Sequence, residues 1–296
     1  MRVVAVVVAA SLLSACGAGG RGGPRVSDEL RGRFEGDLSQ WTLPLDSYRP
    51  DLELAERRHS FAEGLLLREC LAERGFPNLP LPEAPTKAGR AMNDQGRILF
   101  NVELAREHGY HRPSDLSLGL SPAQRAASEA FSAVLEATPL GAQSFDDCLA
   151  DIRRDQLPLS ELTNENLVDA LAFAAYEEVR HGDALDAPVR RWRECMEPLG
   201  IADLPASPLR GMPPPSLSER FGLGGNSEGG PSSEEIRIAV ADAECRESSG
   251  LSQELYTLEF EAQLRHVAAN EEELERIRAS VEADAALVKA ILAEHG

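Results

Sequence analysis

Apolar residues recur along most of this chain at the three-and-four spacing of helices that pack on a core. From 188 to 199, Val189, Trp192, Cys195, Met196 and Leu199 fall on one face. Pro188 suits a first helical turn and Gly200 a stop. A similar helix ahead of Gly75 carries Phe61, Leu65, Leu67 and Leu71, and Leu167, Ala170, Leu171, Ala174 and Ala175 mark another. Near the end, Ile236, Ala239, Val240 and Ala243 form one stripe, and Phe260, Val267, Leu274, Val281 and Val288 recur every seven residues. That period predicts long antiparallel or coiled helices, although Asn270 followed by Glu273 offers a cap for a new helix there. No stretch sustains the alternation of a half-buried strand, and aromatic residues are only 5% of the chain. An α/β solute-binding protein or hydrolase would need recurrent Val/Ile-rich strands between helices, so the expected class is all-α.

The helical pattern contains a duplication. Residues Arg68 to Pro80 align without gaps on Arg193 to Pro205, with six of thirteen positions identical. In each copy a helix carries a cysteine, ends at a glycine and leads through Leu-Pro into a loop. A Pro/Gly-rich excursion follows (77–96 and 205–233), then helical sequence with a second cysteine. Four cysteines, Cys70, Cys148, Cys195 and Cys245, allow three connectivities. Pairing within copies, Cys70 with Cys148 and Cys195 with Cys245, is the simplest, and each loop closure would stabilise by roughly 4 kcal/mol in the chain-entropy picture. Cross-copy pairing and a metal site are the competing readings, but a thiolate zinc site usually shows a C-x-x-C pair, which is missing here. Trp192, one turn before Cys195, is expected to cover its bridge.

The fifth cysteine has another context. Arg2, an apolar stretch from Val3 to Leu13, and the word Leu13-Ser14-Ala15-Cys16 make a lipobox. Cleavage of such a secretory signal leaves Cys16 at the new N-terminus for acylation. Eleven helical residues rise only ~17 Å, too little for a ~30 Å hydrocarbon core, which argues against a transmembrane anchor. A diacylglyceryl group supplies the two chains that stable residence on a bilayer needs. The expected division is 1–15 signal peptide, 16–40 flexible lipidated tether, 41–155 a unit with Cys70 and Cys148, and 156–296 a unit with Cys195 and Cys245, the loop 205–233 and a C-terminal helical hairpin.

Charge narrows the partners. A net charge of −19 opposes nucleic acid, because binding its backbone needs Lys and Arg to displace counterions. Arg21, Arg25, Arg31 and Arg33, behind the lipobox, either attract an anionic leaflet or keep a tether soluble.

Pro44 to Tyr48, Cys70 to Phe76, Gly109-Tyr110, Leu120-Ser121-Pro122, Asp147-Cys148, Trp192 through Cys195-Met196 to Gly200, and Ala239 to Arg246 occur in that order. Together they resemble the uncharacterised secreted lipoproteins of high-GC Gram-positive bacteria over most of residues 40–296. The resemblance implies a helical fold and surface anchoring, and no activity. Where it has glycine before the second cysteine, this chain has Asp147. The resemblance also includes Asp242, one helical turn before Cys245. There a carboxylate can hold a buried arginine or backbone amide near the disulfide, and this structural role is favoured over binding.

Other chemistry is weak. His108 and His111 beside Glu107 lack a third metal ligand, and Glu177, Glu178, His181 and Asp183 suit a solvated helix C-terminus. The glycines from Gly222 to Gly230 lack the Lys-Ser/Thr pair of a phosphate loop. No carboxylate pair stands out. No catalytic residue, metal or cofactor is expected. The favoured role is a non-enzymatic interaction or scaffold protein on the outer face of the cytoplasmic membrane, tethered by its lipid and facing an envelope protein. A binder of small ligands or cell-wall fragments, with a groove between the units, is the alternative, and an envelope hydrolase comes third.

Overall fold

The computed structural model describes residues 26–49, 52–77, 79–85, 99–111, 122–137, 139–158, 167–223 and 230–295. Among them the fold is all-α. The helices are α1 (Asp28–Arg31), α2 (Leu52–Glu73), α3 (Val102–His108), α4 (Pro122–Glu136), α5 (Pro139–Asp155), α6 (Leu167–His181), α7 (Asp186–Met196), α8 (Pro215–Phe221), α9 (Ser233–Ser248), α10 (Leu251–Ala269) and α11 (Glu271–His295). Extended pairing among the described residues is limited to one bridge, Asp37 to Thr42. The signal segment, Cys16, Arg21 and Arg25 lie outside the described residues.

Two disulfides close within the duplicated copies. Cys70 on α2 is bonded to Cys148 on α5, and Cys195 on α7 to Cys245 on α9. Gly75 (φ +98°) and Gly200 (φ +64°) stand at equivalent positions five residues after the first cysteine of each copy. Their left-handed backbones end the two helices where a side chain would add strain. The 205–233 excursion is more structured than a loop, since it contains a 3₁₀ turn at Pro208–Arg210 and the helix α8, with Leu209 and Met212 packed on the core.

The copies are not packed as consecutive blocks. α3, from the first half of the chain, lies on α9, and α11, from the second, lies on α2. α11 leaves α10 at Asn270 and packs on α2 and on the 3₁₀ turn Pro44–Tyr48; it does not fold back along α10 as a hairpin. Its seven-residue stripe therefore faces core. Leu274, Ile277 and Val281 enter a cluster with Leu45, Tyr48, Val168 and Val267. Val288 and Ile291 enter a second cluster with Leu66, Leu71, Cys148 and Ile152. A third gathers Trp41, Trp192, Met196, Cys245 and Leu251 around α7, α9 and α10.

The segment 26–49 is strapped across α10 and α11. Trp41 adopts φ +52°, rare for a bulky residue, and is held there because its ring is buried and packs edge-on to Tyr256. Its indole Nε1 donates to Glu259 Oε2 at 3.3 Å, Leu45 N–H donates to Gln263 Oε1 at 3.0 Å, and Tyr256 Oη donates to the Thr42 carbonyl at 2.7 Å. Arg31 pairs with Glu261, and Arg33 with Glu271 at 2.7 Å. These two arginines are thus paired with carboxylates of α10 and α11, with their side chains still partly exposed.

Candidate functional site

The most concentrated buried chemistry lies beside the Cys195–Cys245 bridge. Ser232 caps α9 by accepting the Glu235 N–H at 3.1 Å. From there α9 runs between α3 and α7, so residues on two of its faces are buried. Asp242 is fully buried at 0% exposure. Trp192 Nε1 donates to its Oδ1 at 2.7 Å, and Arg246 Nε and Nη2 donate to Oδ1 and Oδ2 at 2.9 and 3.0 Å. Tyr110 Oη, from the segment after α3, donates to Oδ2 at 3.4 Å. Four donors from three segments therefore converge on one carboxylate, which satisfies its acceptor sites.

Aromatic packing closes the cluster. The Arg246 guanidinium lies 5.2 Å from the centre of the Phe100 ring, and that ring stacks on Tyr110 with centres 5.7 Å apart. Burial, reinforced by the Asp242 charge, pushes the Tyr110 phenol far above its ordinary value. It stays protonated and remains a donor.

Glu235 adds a second buried carboxylate at 1% exposure. Its Oε1 accepts Tyr110 N–H and faces His111 Nδ1, each at 2.8 Å. In a capping box this side chain would return to the Ser232 backbone; here it reaches across to the turn after α3. That approach requires Gly109, at φ +58°, because a Cβ there would overlap Glu235 Oε1. His108 and His111 are drawn to different carboxylates, His108 to Glu107 at 3.3 Å and His111 to Glu235. Among the described residues no group of three or more His, Cys, Asp or Glu side chains is arranged to hold a metal ion.

The other residues singled out in the sequence are placed plainly. Trp192 is fully buried in the same cluster as Cys245, whereas Cys195 is exposed, so the indole lies by the buried half of the bridge and does not cover the outer half. Asp147 sits inside α5 and accepts from Arg74 at 3.1 Å. His181 ends α6, its Nδ1 3.0 Å from the Glu177 carbonyl, and Glu178 pairs with Arg265.

Two pairs escaped the sequence reading. Buried His59 on α2 faces Asp284 on α11, with Nδ1 3.0 Å from Oδ1. Fully buried Glu259 and Gln263 receive the N-terminal strap. Glu259 and Gln263 lie four residues apart on one helix, and the only available signal was polar residues interrupting an apolar face.

Open space is modest. A groove of about 330 Å³ runs between α2 (Glu56, Ser60, Phe61, Gly64) and the extended segment with Leu81 and Pro82. A second, about 290 Å³, lies between Phe100 and Asn101 on one side and Ala243, Glu247 and Gln253 on the other. No described helix is long and apolar enough to cross a membrane. Comparison with known proteins finds no matching family model, no similar curated protein and no similar solved structure.

Proposed function

We propose that this chain is an exported protein, tethered through acylated Cys16 to the outer face of the cytoplasmic membrane. Its folded body would serve as a non-enzymatic interaction or scaffold protein of the envelope. The observation that carries the reading is the pair of closed disulfides within the duplicated copies. Such bridges persist in oxidising compartments outside the cytosol, which agrees with a lipobox at residues 13–16. The non-enzymatic half draws support from the carboxylates with the deepest burial. Asp242 and Glu235 bind side chains and backbone of the protein itself, and their bonds join helices.

The alternative, a binder of small ligands or wall fragments, draws on the two grooves, the second of which lies between residues of the first and second halves. In-cell crosslinking with mass spectrometry, comparing the native chain with a secreted Cys16→Ala form, separates the two. A discrete protein crosslinked to the folded body of the anchored form is the expected result. No partner, together with a melting shift that grows with added wall fragments, would replace the scaffold reading by the binder.

A further inference from the structure

The two disulfides differ in what surrounds them. Cys148 is fully buried in the cluster formed by α2, α4, α5 and α11, and Cys70 is half-buried at its edge. Cys195 is exposed on the last turn of α7, with Arg193 and Glu194 also exposed beside it, while its partner Cys245 is buried. Reduction proceeds by attack of a thiolate on a disulfide sulfur, so access to one sulfur decides which bridge reacts, and exposed bridges are the labile ones.

The framework around Cys195–Cys245 has fastenings besides the bridge. Trp192 Nε1 donates to Asp242, and Arg191 Nε and Nη2 both donate to the Ser249 carbonyl, at 3.1 and 2.6 Å. These contacts flank the cysteine pair and join α7 to α9 and its C-terminal end. The α7–α9 pair is thereby fastened twice, once covalently and once through hydrogen bonds.

We propose that Cys195–Cys245 is a site of reversible thiol–disulfide exchange, with a solvent-borne dithiol, free or carried by a reductase, as the co-reactant. The incoming thiolate bonds to Cys195 Sγ, the Sγ–Sγ bond breaks, and its electron pair leaves on Cys245. Cys245 takes up the proton released when the attacking thiol ionised. The second thiol of the reductant then attacks the reductant sulfur of the mixed disulfide and frees Cys195, which also takes up a proton. The reductant ends as a disulfide and the protein as two thiols, a two-electron, two-proton transfer. Cys70–Cys148 stays closed and serves as the permanent brace. The inference does not depend on acylation of Cys16.

The test is graded reduction of the mature chain with dithiothreitol at neutral pH without denaturant, quenched by alkylation and read by peptide mapping and far-ultraviolet circular dichroism. Cys195 and Cys245 are expected to be labelled at a reductant concentration about tenfold or more below that opening Cys70–Cys148, with the helical signal unchanged. Opening of both bridges together, opening of Cys70–Cys148 first, or loss of helix with the first labelling would overturn the proposal. A Cys245→Ala chain adds a second reading: incubated with glutathione disulfide, it is expected to form a mixed disulfide at Cys195, and an unreactive Cys195 would count against the exchange site.

Discussion

Asp242 decides how α7, α9 and the turn after α3 meet, because an indole, a guanidinium and a phenol are directed at it where water has no access. Removing one partner of a buried charged pair leaves the other uncompensated and costs about 3–5 kcal/mol. Asp242→Ala is therefore expected to destabilise by about 3 kcal/mol or more, a melting drop on the order of 6–12 °C for a body of this size, with partner crosslinking retained at temperatures where the variant is folded. Urea unfolding measures it, and an unchanged midpoint would mean the cluster is dispensable. The buried tyrosines make a second prediction. Burial, aided by Asp37 and Asp46, pushes the Tyr256 phenol up to about 12, against about 10 in an unfolded chain. The folded state holds this proton more tightly, so its contribution is complete below about pH 10 and is lost as pH rises toward 12. Stability is expected to fall over that window, and Tyr256→Phe, which also loses the bond to Thr42, should flatten part of the slope in alkaline unfolding curves; an identical slope would contradict the assignment. Asp242 stood out in the sequence because the resemblance includes it, one turn before a cysteine on a helix. Glu235 was hidden by its capping position, since its side chain reaches a turn more than a hundred residues away in sequence.

At the scale of elements, legibility follows how many sides of a helix are covered. α7 has one buried face, and Trp192 and Met196 lie on it as their spacing predicts, whereas Cys195, expected on the same face, is exposed. α6 was misplaced by part of a turn: Val168, Ala172, Ala175 and Val179 are buried, whereas Ala170 and Ala174 are exposed beside Phe173. Alanine is apolar but small, so it does not tell a core face from a solvent face. α9 is covered by α3 and α7, and its pattern blurs because Ile238, Ala239, Asp242, Ala243 and Cys245 are all inside. α11 has a clean stripe whose partner was misread; the spacing marks a buried face, and here α2 and the Pro44–Tyr48 turn fill it. The role of α11 as a rod joining two cores is testable with paired substitutions. Ile291, 7% exposed in the cluster with α2 and α5, is expected to cost about 2–4 kcal/mol on change to alanine. Leu287, 37% exposed at the edge of the same stripe, should change stability by only about 0.5 kcal/mol. Equal costs in chemical denaturation would contradict this placement of the helix.

Across the whole molecule, the repeat and its bridges were legible while the packing of the halves was not. In both copies a cysteine helix stops at a left-handed glycine and is bonded to a later helix. Three residues before the cysteines the copies diverge. The first has Leu67 and Phe145 in one apolar cluster, and the second has Trp192 bonded to Asp242. One position thus supports a greasy contact in one unit and a polar lock in the other. Sequence adjacency implies that each copy folds on itself, but α3 lies on α9 and α11 on α2, since burial of apolar surface is non-directional and does not favour neighbours in sequence. The assembled body is a disulfide-braced helical object whose strap, 26–49, begins ten residues after Cys16. Ten extended residues reach about 35 Å at most, so an acylated Cys16 would hold the body close to the bilayer. The measurement that tests this most directly is the intact mass of the chain purified from the membrane fraction of a lipoprotein-processing bacterium. A chain beginning at diacylated Cys16, with Cys70–Cys148 and Cys195–Cys245 closed, is expected; a chain in the soluble fraction that retains residues 1–15 and carries no lipid would contradict it.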